Sequence, residues 1–246
     1  MAETRTIQLD GGAAVTAAVY RAAAPAVATF VLAHGAGSNQ FHEFMVGFAS
    51  ALADRRLDVV TFNFPYTERG KKLPDPQPVL EGCYRAVLAH VAADPLLGAR
   101  PLVIGGKSLG GRMASHVAAS RDAADSDAPT WWDRLRGLVF LGYPLHPPGK
   151  PQQVRVSHLP NLTHPILIVQ GAKDAFGTPA ELRTFFDVLA APSEIYVVEQ
   201  GNHSFEVPKR SGIPQTQVFA QAQDRIAAWV SERAAPATRV HRPAQA

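Results

Sequence analysis

A serine with a glycine two residues to either side, Gly106-Lys107-Ser108-Leu109-Gly110, follows the apolar run Pro101 to Gly105 and opens a helical pattern near Leu109. A strand, a tight turn and a helix in that order form a nucleophile elbow. The turn strains the backbone at the serine and crowds the positions two residues away, which suits Gly106 and Gly110. Such an elbow lifts the Ser108 hydroxyl above the C-terminal edge of a sheet, at a helix N-terminus where developing negative charge is favoured. The Leu109 N–H is then one donor to an oxyanion. Chance alone places Gly-x-Ser-x-Gly in roughly one chain in ten of this length, so the flanking elements carry the inference.

A serine nucleophile needs a base and a carboxylate that orients the base. Asp174 ends the loop Gly171-Ala172-Lys173-Asp174 after the apolar run 165–170, and His203 lies in Gly201-Asn202-His203-Ser204-Phe205 after the last run, 194–199. Both loops leave strands at the edge from which Ser108 projects. The expected chemistry is acyl transfer to water. His203 takes the Ser108 proton, Asp174 fixes the imidazole tautomer, and water repeats the attack on the acyl-serine. Neither half-reaction calls for a metal or an organic cofactor. A second oxyanion donor falls in His34-Gly35-Ala36-Gly37 at the end of the run 27–33: Ala36, with Gly37 an alternative the sequence does not separate. His34 reads as a brace for that loop, and His116 as a packing or surface histidine.

The elements that must position these residues follow from periodicity. Short apolar runs at 27–33, 58–63, 101–105, 137–142, 165–170 and 194–199 alternate with amphipathic stretches at 42–55, 77–93, 109–120, 178–190 and 215–233. This is the pattern of a mostly parallel sheet with crossover helices on its faces. Segments 5–9 and 14–20 flank Asp10-Gly11-Gly12 and predict an antiparallel hairpin at a sheet edge. Residues 122–130 read as a loop and 235–246 as a disordered tail, which leaves one α/β domain over 1–234.

HGAG at 34–37, FPY at 64–66, GGKSLGGR at 105–112, GYPLHPPGKP at 142–151, VQGAKDAFG at 169–177 and GNHSF at 201–205 resemble α/β-hydrolases related to dienelactone hydrolase. The nearest likeness is to the hydrolase-like family that includes testis-expressed protein thirty and the third KANSL chromatin subunit, and it runs from about 27 to 208. The resemblance implies an eight-stranded, mostly parallel sheet and a triad of Ser108, Asp174 and His203, but no particular substrate. Dienelactone hydrolases proper use a cysteine nucleophile. Here the elbow carries Ser108, and the single cysteine, Cys83, falls in a helical stretch as a core filler, so dienelactone is not carried over as substrate.

Only residues 143–164 separate two of the strands where this fold commonly inserts a lid, so a minimal cap and an open cleft are expected, suited to small esters. Tyr66 in FPY, Lys107 and His146 are candidate substrate contacts; for FPY, packing within the loop is an equal alternative. Cations at Arg69, Lys71, Lys72, Lys107, Arg112, Lys150, Lys173, Lys209 and Arg210 either recognise an anionic ester or are ordinary solvated charges, with Arg112 also readable as a structural brace.

A chain of 246 residues with 46% hydrophobic and 18% charged residues has ample core for a folded domain. A formal charge of +3 without a dense basic run excludes the footprint of a nucleic-acid binder. The apolar runs are far short of the roughly 20 residues a membrane helix needs. Residues 1–10 lack the pattern of a secretion signal, which reads as cytoplasmic. The partner expected is a small-molecule ester, with oligomeric state open. Two rival readings stand beside the carboxylesterase: a non-catalytic interaction module on the same scaffold, and a thioesterase, acyltransferase or peptidase using the same three residues.

Overall fold

Runs such as Ala28–Ala33 (ATFVLA), Leu57–Phe62 (LDVVTF) and Ile166–Gly171 (ILIVQG) are buried at every position, as strands are when both faces of a parallel sheet are covered. The computed structural model describes residues 2–120 and 131–235. The strands are β1 (Glu3–Gln8), β2 (Ala14–Tyr20), β3 (Ala28–Ala33), β4 (Leu57–Phe62), β5 (Leu102–Lys107), β6 (Leu135–Leu141), β7 (Ile166–Gly171) and β8 (Ser193–Val198). They form one eight-stranded sheet in the order β1-β2-β4-β3-β5-β6-β7-β8. β1 pairs antiparallel with β2, and β2 antiparallel with β4; the other pairings are parallel. The hairpin expected at the N-terminus therefore lies at the sheet edge.

The helices are α1 (Glu43–Ala53), α2 (Pro65–Glu68), α3 (Gln77–Ala93), α4 (Leu109–Ala119), α5 (Trp131–Arg134), α6 (Pro179–Phe186) and α7 (Gln215–Ala234). Two hydrophobic clusters divide them. Phe48 and Leu52 of α1 join Ile226 and Trp229 of α7 on one face of the sheet, while Leu80, Tyr84 and Val87 of α3, Met113 and Val117 of α4, and Leu182 and Phe186 of α6 pack on the other. Tyr84 ties this second layer to the centre of the sheet. Its hydroxyl is 3.0 Å from the Val31 carbonyl and 2.7 Å from that of Gly105, and it accepts the Gly105 N–H at 3.0 Å.

Two expectations are corrected. FPY is the start of a short helix, because Pro65 at its first position fixes a helical φ where no N–H is needed. The helix expected over 178–190 stops at Phe186, whose carbonyl takes the Leu189 N–H and the Ser193 hydroxyl in place of a continuing helical bond. Trp131–Arg134 forms a short turn of helix leading into β6. Between β6 and β7 the regular structure is a 3-10 turn at Leu159–Asn161, so the cap is minimal as expected. The expected loop at 122–130 and the tail beyond Ala235 lie outside the described residues. Among those residues, no helix is long and apolar enough to cross a membrane.

Candidate active site

β5 ends at Lys107 and α4 begins at Leu109, so a single residue turns the chain. Ser108 has φ 50° and ψ −112°, a conformation that a non-glycine residue adopts only under strain. The glycines around it answer a spatial demand. A Cβ on Gly106 would lie 2.6 Å from the Ala33 carbonyl oxygen and one on Gly110 2.4 Å from the same atom, because α4 starts hard against β3.

Ser108, His203 and Asp174 form one hydrogen-bonded chain. His203 Nε2 is 2.9 Å from Ser108 Oγ, and His203 Nδ1 is 2.7 Å from Asp174 Oδ2. With the Nδ1–H donating to the carboxylate, the unprotonated Nε2 faces the hydroxyl. Burial lowers the His203 pKa from its ordinary value; the bond to Asp174 opposes that shift and the Lys107 charge adds to it. The Asp174 side chain is fully buried. Its oxygens accept the Phe176 N–H at 2.8 Å and the Gln170 side-chain amide at 2.9 Å. Gln170 also donates to the Gly177 carbonyl at 2.7 Å and accepts the Tyr143 N–H at 2.8 Å. It therefore clamps the Asp174 loop to the segment after β6. Nothing in the sequence around Gln170 marks it beyond a polar residue near the end of an otherwise apolar strand.

Leu109, Ala36 and Gly37 all border the cleft above Ser108. The Leu109 N–H is the first of a helix and has no intrahelical acceptor. The Gly37 N–H is turned toward the Tyr66 hydroxyl, where with Thr67 it opposes the rise that burial imposes on the phenol. His34 braces this loop from below. Its Nδ1–H donates to the Gly35 carbonyl at 2.8 Å and its Nε2 accepts the Phe64 N–H at 3.2 Å; burial lowers it to about 4, which keeps it neutral.

The cleft is open and has a volume of about 1020 Å³, at the upper limit of small-molecule sites. Its lining includes an apolar cluster of Phe44, Phe48 and Phe219, in mutual ring contact, and the two arginines Arg112 and Arg155. Lys107 borders the cleft, but its ammonium is turned to the His203 carbonyl at 2.7 Å. Tyr66 and His146 do not line it. Tyr66 is buried in the loop, stacked near Phe64 at 6.3 Å and edge-on to His34 at 5.9 Å. His146 is buried behind the Asp174 loop, its Nδ1 donating to the Pro147 carbonyl at 2.9 Å and its N–H to the Phe176 carbonyl at 3.1 Å. Of the cations named from sequence, Lys107 and Arg112 reach the cleft, whereas Arg69 is tied to Asp75 at 2.5 Å and Lys71, Lys72, Lys150, Lys173, Lys209 and Arg210 are exposed away from it. Arg155 was not singled out, because it sits in an irregular segment without periodicity.

A second serine–histidine contact, Ser115 Oγ to His158 Nε2 at 2.7 Å, is a packing arrangement. Ser115 is fully buried on α4, its hydroxyl donates to the Arg112 carbonyl at 2.7 Å, and His158 is stacked on His116 at 3.6 Å. The Cys83 thiol is buried and pushed up to about 12, which leaves it protonated and inert. Among the described residues no cluster of three or more His, Cys, Asp or Glu side chains is placed to hold a metal ion.

Residues 26–231 match a family described as an alpha/beta hydrolase domain. A dienelactone hydrolase from Anabaena variabilis is similar in structure, with a TM-score of 0.68, 17% identity, and coverage of 95% of this chain and 96% of that one. So is a serine hydrolase without a lid from Xanthomonas campestris, with a TM-score of 0.70, 18% identity, and coverage of 93% and 94%. A cold-adapted esterase from an Arctic intertidal metagenomic library gives 0.64, 18%, and coverage of 94% and 93%. At these identities the likeness shows the fold. The matched span takes in the elbow, the Asp174 loop and the His203 loop, and the chain belongs to the alpha/beta hydrolase domain family.

Proposed function

We propose that this hydrolase is a serine carboxylesterase that acts on small esters through an acyl-enzyme. The observation that carries the reading is the continuous chain from Ser108 Oγ through His203 to the buried Asp174, opening on a cleft. His203 Nε2 takes the Ser108 proton as the hydroxyl oxygen attacks the ester carbonyl, and the imidazolium is held by Asp174. The oxyanion is bound by the N–H groups of Leu109 and Ala36, which border the same cleft. The alcohol leaves with the proton from His203. Water then enters, loses its proton to His203 and releases the acid, restoring Ser108.

A neutral imidazole at neutral pH supports this assignment, since the base must be free to accept a proton. The narrower kinship with the testis-expressed protein thirty and KANSL subunit family, and a single catalytic unit over 1–234, belong to the same proposal. The test is hydrolysis of 4-nitrophenyl acetate and butyrate by wild type and Ser108→Ala, with fluorophosphonate labelling of both. Turnover and labelling that vanish in Ser108→Ala are the expected result. A folded wild type that neither labels nor turns over overturns the reading in favour of a non-catalytic module.

A further inference from the structure

Arg112 and Arg155 come from distant parts of the chain and border the same cleft, near enough for the Arg155 charge to act on Arg112. Arg112 lies one turn along α4 from Ser108, its N–H bonded to the Ser108 carbonyl at 3.0 Å. Arg155 stands on the segment between β6 and β7, fixed by its N–H to the Leu145 carbonyl at 2.8 Å. Several half-buried arginines of the fold are paired, Arg5 with Asp94 at 2.6 Å, Arg100 with Asp58 at 2.6 Å and Arg225 with Glu194. Arg112 and Arg155 have no carboxylate within 4 Å among the described residues, and Arg112 Nε is buried without a hydrogen-bond partner.

None of the acids bordering the cleft comes within 4 Å of either guanidinium: Asp75 holds Arg69 through one oxygen while its Oδ2 is buried without a partner, Glu206 accepts from Asn202 at 2.9 Å, and Glu43 begins α1; Glu81, outside the cleft, accepts from Gln77 at 2.7 Å and faces His116. Burial, and then the neighbouring Arg155 charge, lower the Arg112 guanidinium from its ordinary value. Two like charges at the edge of a cleft, with no carboxylate of the described residues within 4 Å of either, leave a place for an anion. Planar guanidinium forks match a carboxylate two bonds at a time.

We propose that Arg112 and Arg155 form a carboxylate-binding subsite, so that the preferred ester of this enzyme carries a free carboxylate a few bonds from the scissile carbonyl. The inference rests on the hydrolase reading above and adds the substrate class. The apolar wall of Phe44, Phe48 and Phe219 takes the other end of the molecule.

The test compares kcat/KM for mono-4-nitrophenyl adipate with that for neutral 4-nitrophenyl pentanoate in wild type, Arg155→Gln, Arg155→Lys and Arg112→Gln. Wild type is expected to favour the adipate ester at least tenfold. Either Gln substitution is expected to cut that ratio about tenfold, with Arg155→Lys between. A ratio that is the same in wild type and Arg155→Gln overturns the subsite while Ser108-dependent turnover leaves the hydrolase reading standing. Should neither ester turn over and no fluorophosphonate label, calorimetric titration with adipate decides the site alone. Binding that Arg155→Gln weakens tenfold supports it, and no binding to wild type overturns it.

Discussion

The Lys107 ammonium donates a 2.7 Å hydrogen bond to the main-chain carbonyl of His203, so the residue before the serine holds the loop that carries the imidazole. The ammonium is buried beside the Phe44 and Phe205 rings at 5.9 and 5.6 Å. Burial pulls its pKa down to about 8, against the pull of Asp174. It is both a strut and a positive charge behind the imidazole.

Lys107→Met removes that charge. The protonated imidazole is then less repelled, so the His203 pKa rises, and the acid limb of the kcat/KM profile moves to higher pH. Loss of the strut lowers kcat about tenfold, the scale on which small misplacements of catalytic groups act. A pH–rate profile on 4-nitrophenyl butyrate checks the direction; an acid limb that stays in place or moves down contradicts it.

Gln170→Leu keeps the volume in β7 but leaves the Tyr143 N–H and the Gly177 carbonyl without their partner and removes one of the two donors to Asp174 Oδ2, the other being His203. Unsatisfied buried groups cost about 1–3 kcal/mol each. The expected outcome is a lower melting temperature and a kcat reduced at least tenfold with KM little changed, read from thermal melts and steady-state kinetics. A purely structural role would lower the melting temperature and spare kcat per folded molecule.

Two glycine-to-alanine substitutions should have opposite effects. Gly110→Ala drives a Cβ to 2.4 Å from the Ala33 carbonyl oxygen and should cost about 3 kcal/mol or more. Gly82→Ala, exposed within α3 with nothing within 4 Å of the new Cβ, should stabilise by about 1 kcal/mol. Urea unfolding of both variants measures the two signs.

Acid should destabilise the fold through His34. In the unfolded chain its pKa is near 6.5, whereas in the fold burial lowers it to about 4. Between those values the unfolded state binds a proton that the folded state refuses. The stability present above about pH 6.5 is therefore lost as pH falls toward 4, by up to about 3 kcal/mol. His116 and His158, lowered by burial to about 4 and about 3, act in the same direction. Melting temperatures from pH 7 to 4.5 should fall steeply in wild type and less steeply in His34→Gln; parallel slopes would count against the assignment.

Strand and helix positions were legible because their causes are local. The six apolar runs from residue 27 onward coincide with β3 to β8 to within two residues at each end; burial on both faces of a parallel sheet demands mostly apolar residues in β3 to β7, while the edge strand β8 is only partly buried. The end of α6 was not legible: the pattern Leu182, Phe186, Leu189 continues in helical spacing, and the Ser193 hydroxyl that caps the Phe186 carbonyl comes from the next strand. For Tyr66 the sequence leaves cleft wall and loop packing equal, because it follows a strand at the right edge; Pro65 starts a helix there and turns the ring inward against His34, which decides for packing.

By itself the sequence determined the parallel α/β order and the chain order of Ser108, Asp174 and His203, because strand ends and tight turns are written in short windows of glycine and apolar residues. The tertiary structure alone decided that Gln170 clamps the acid, that the Lys107 ammonium holds the His203 loop, and that Arg112 and Arg155 border one cleft with no carboxylate of the described residues within 4 Å. Those relationships join residues that are far apart along the chain or depend on where a side chain turns. They exist only once the sheet has brought the loops at its C-terminal edge together.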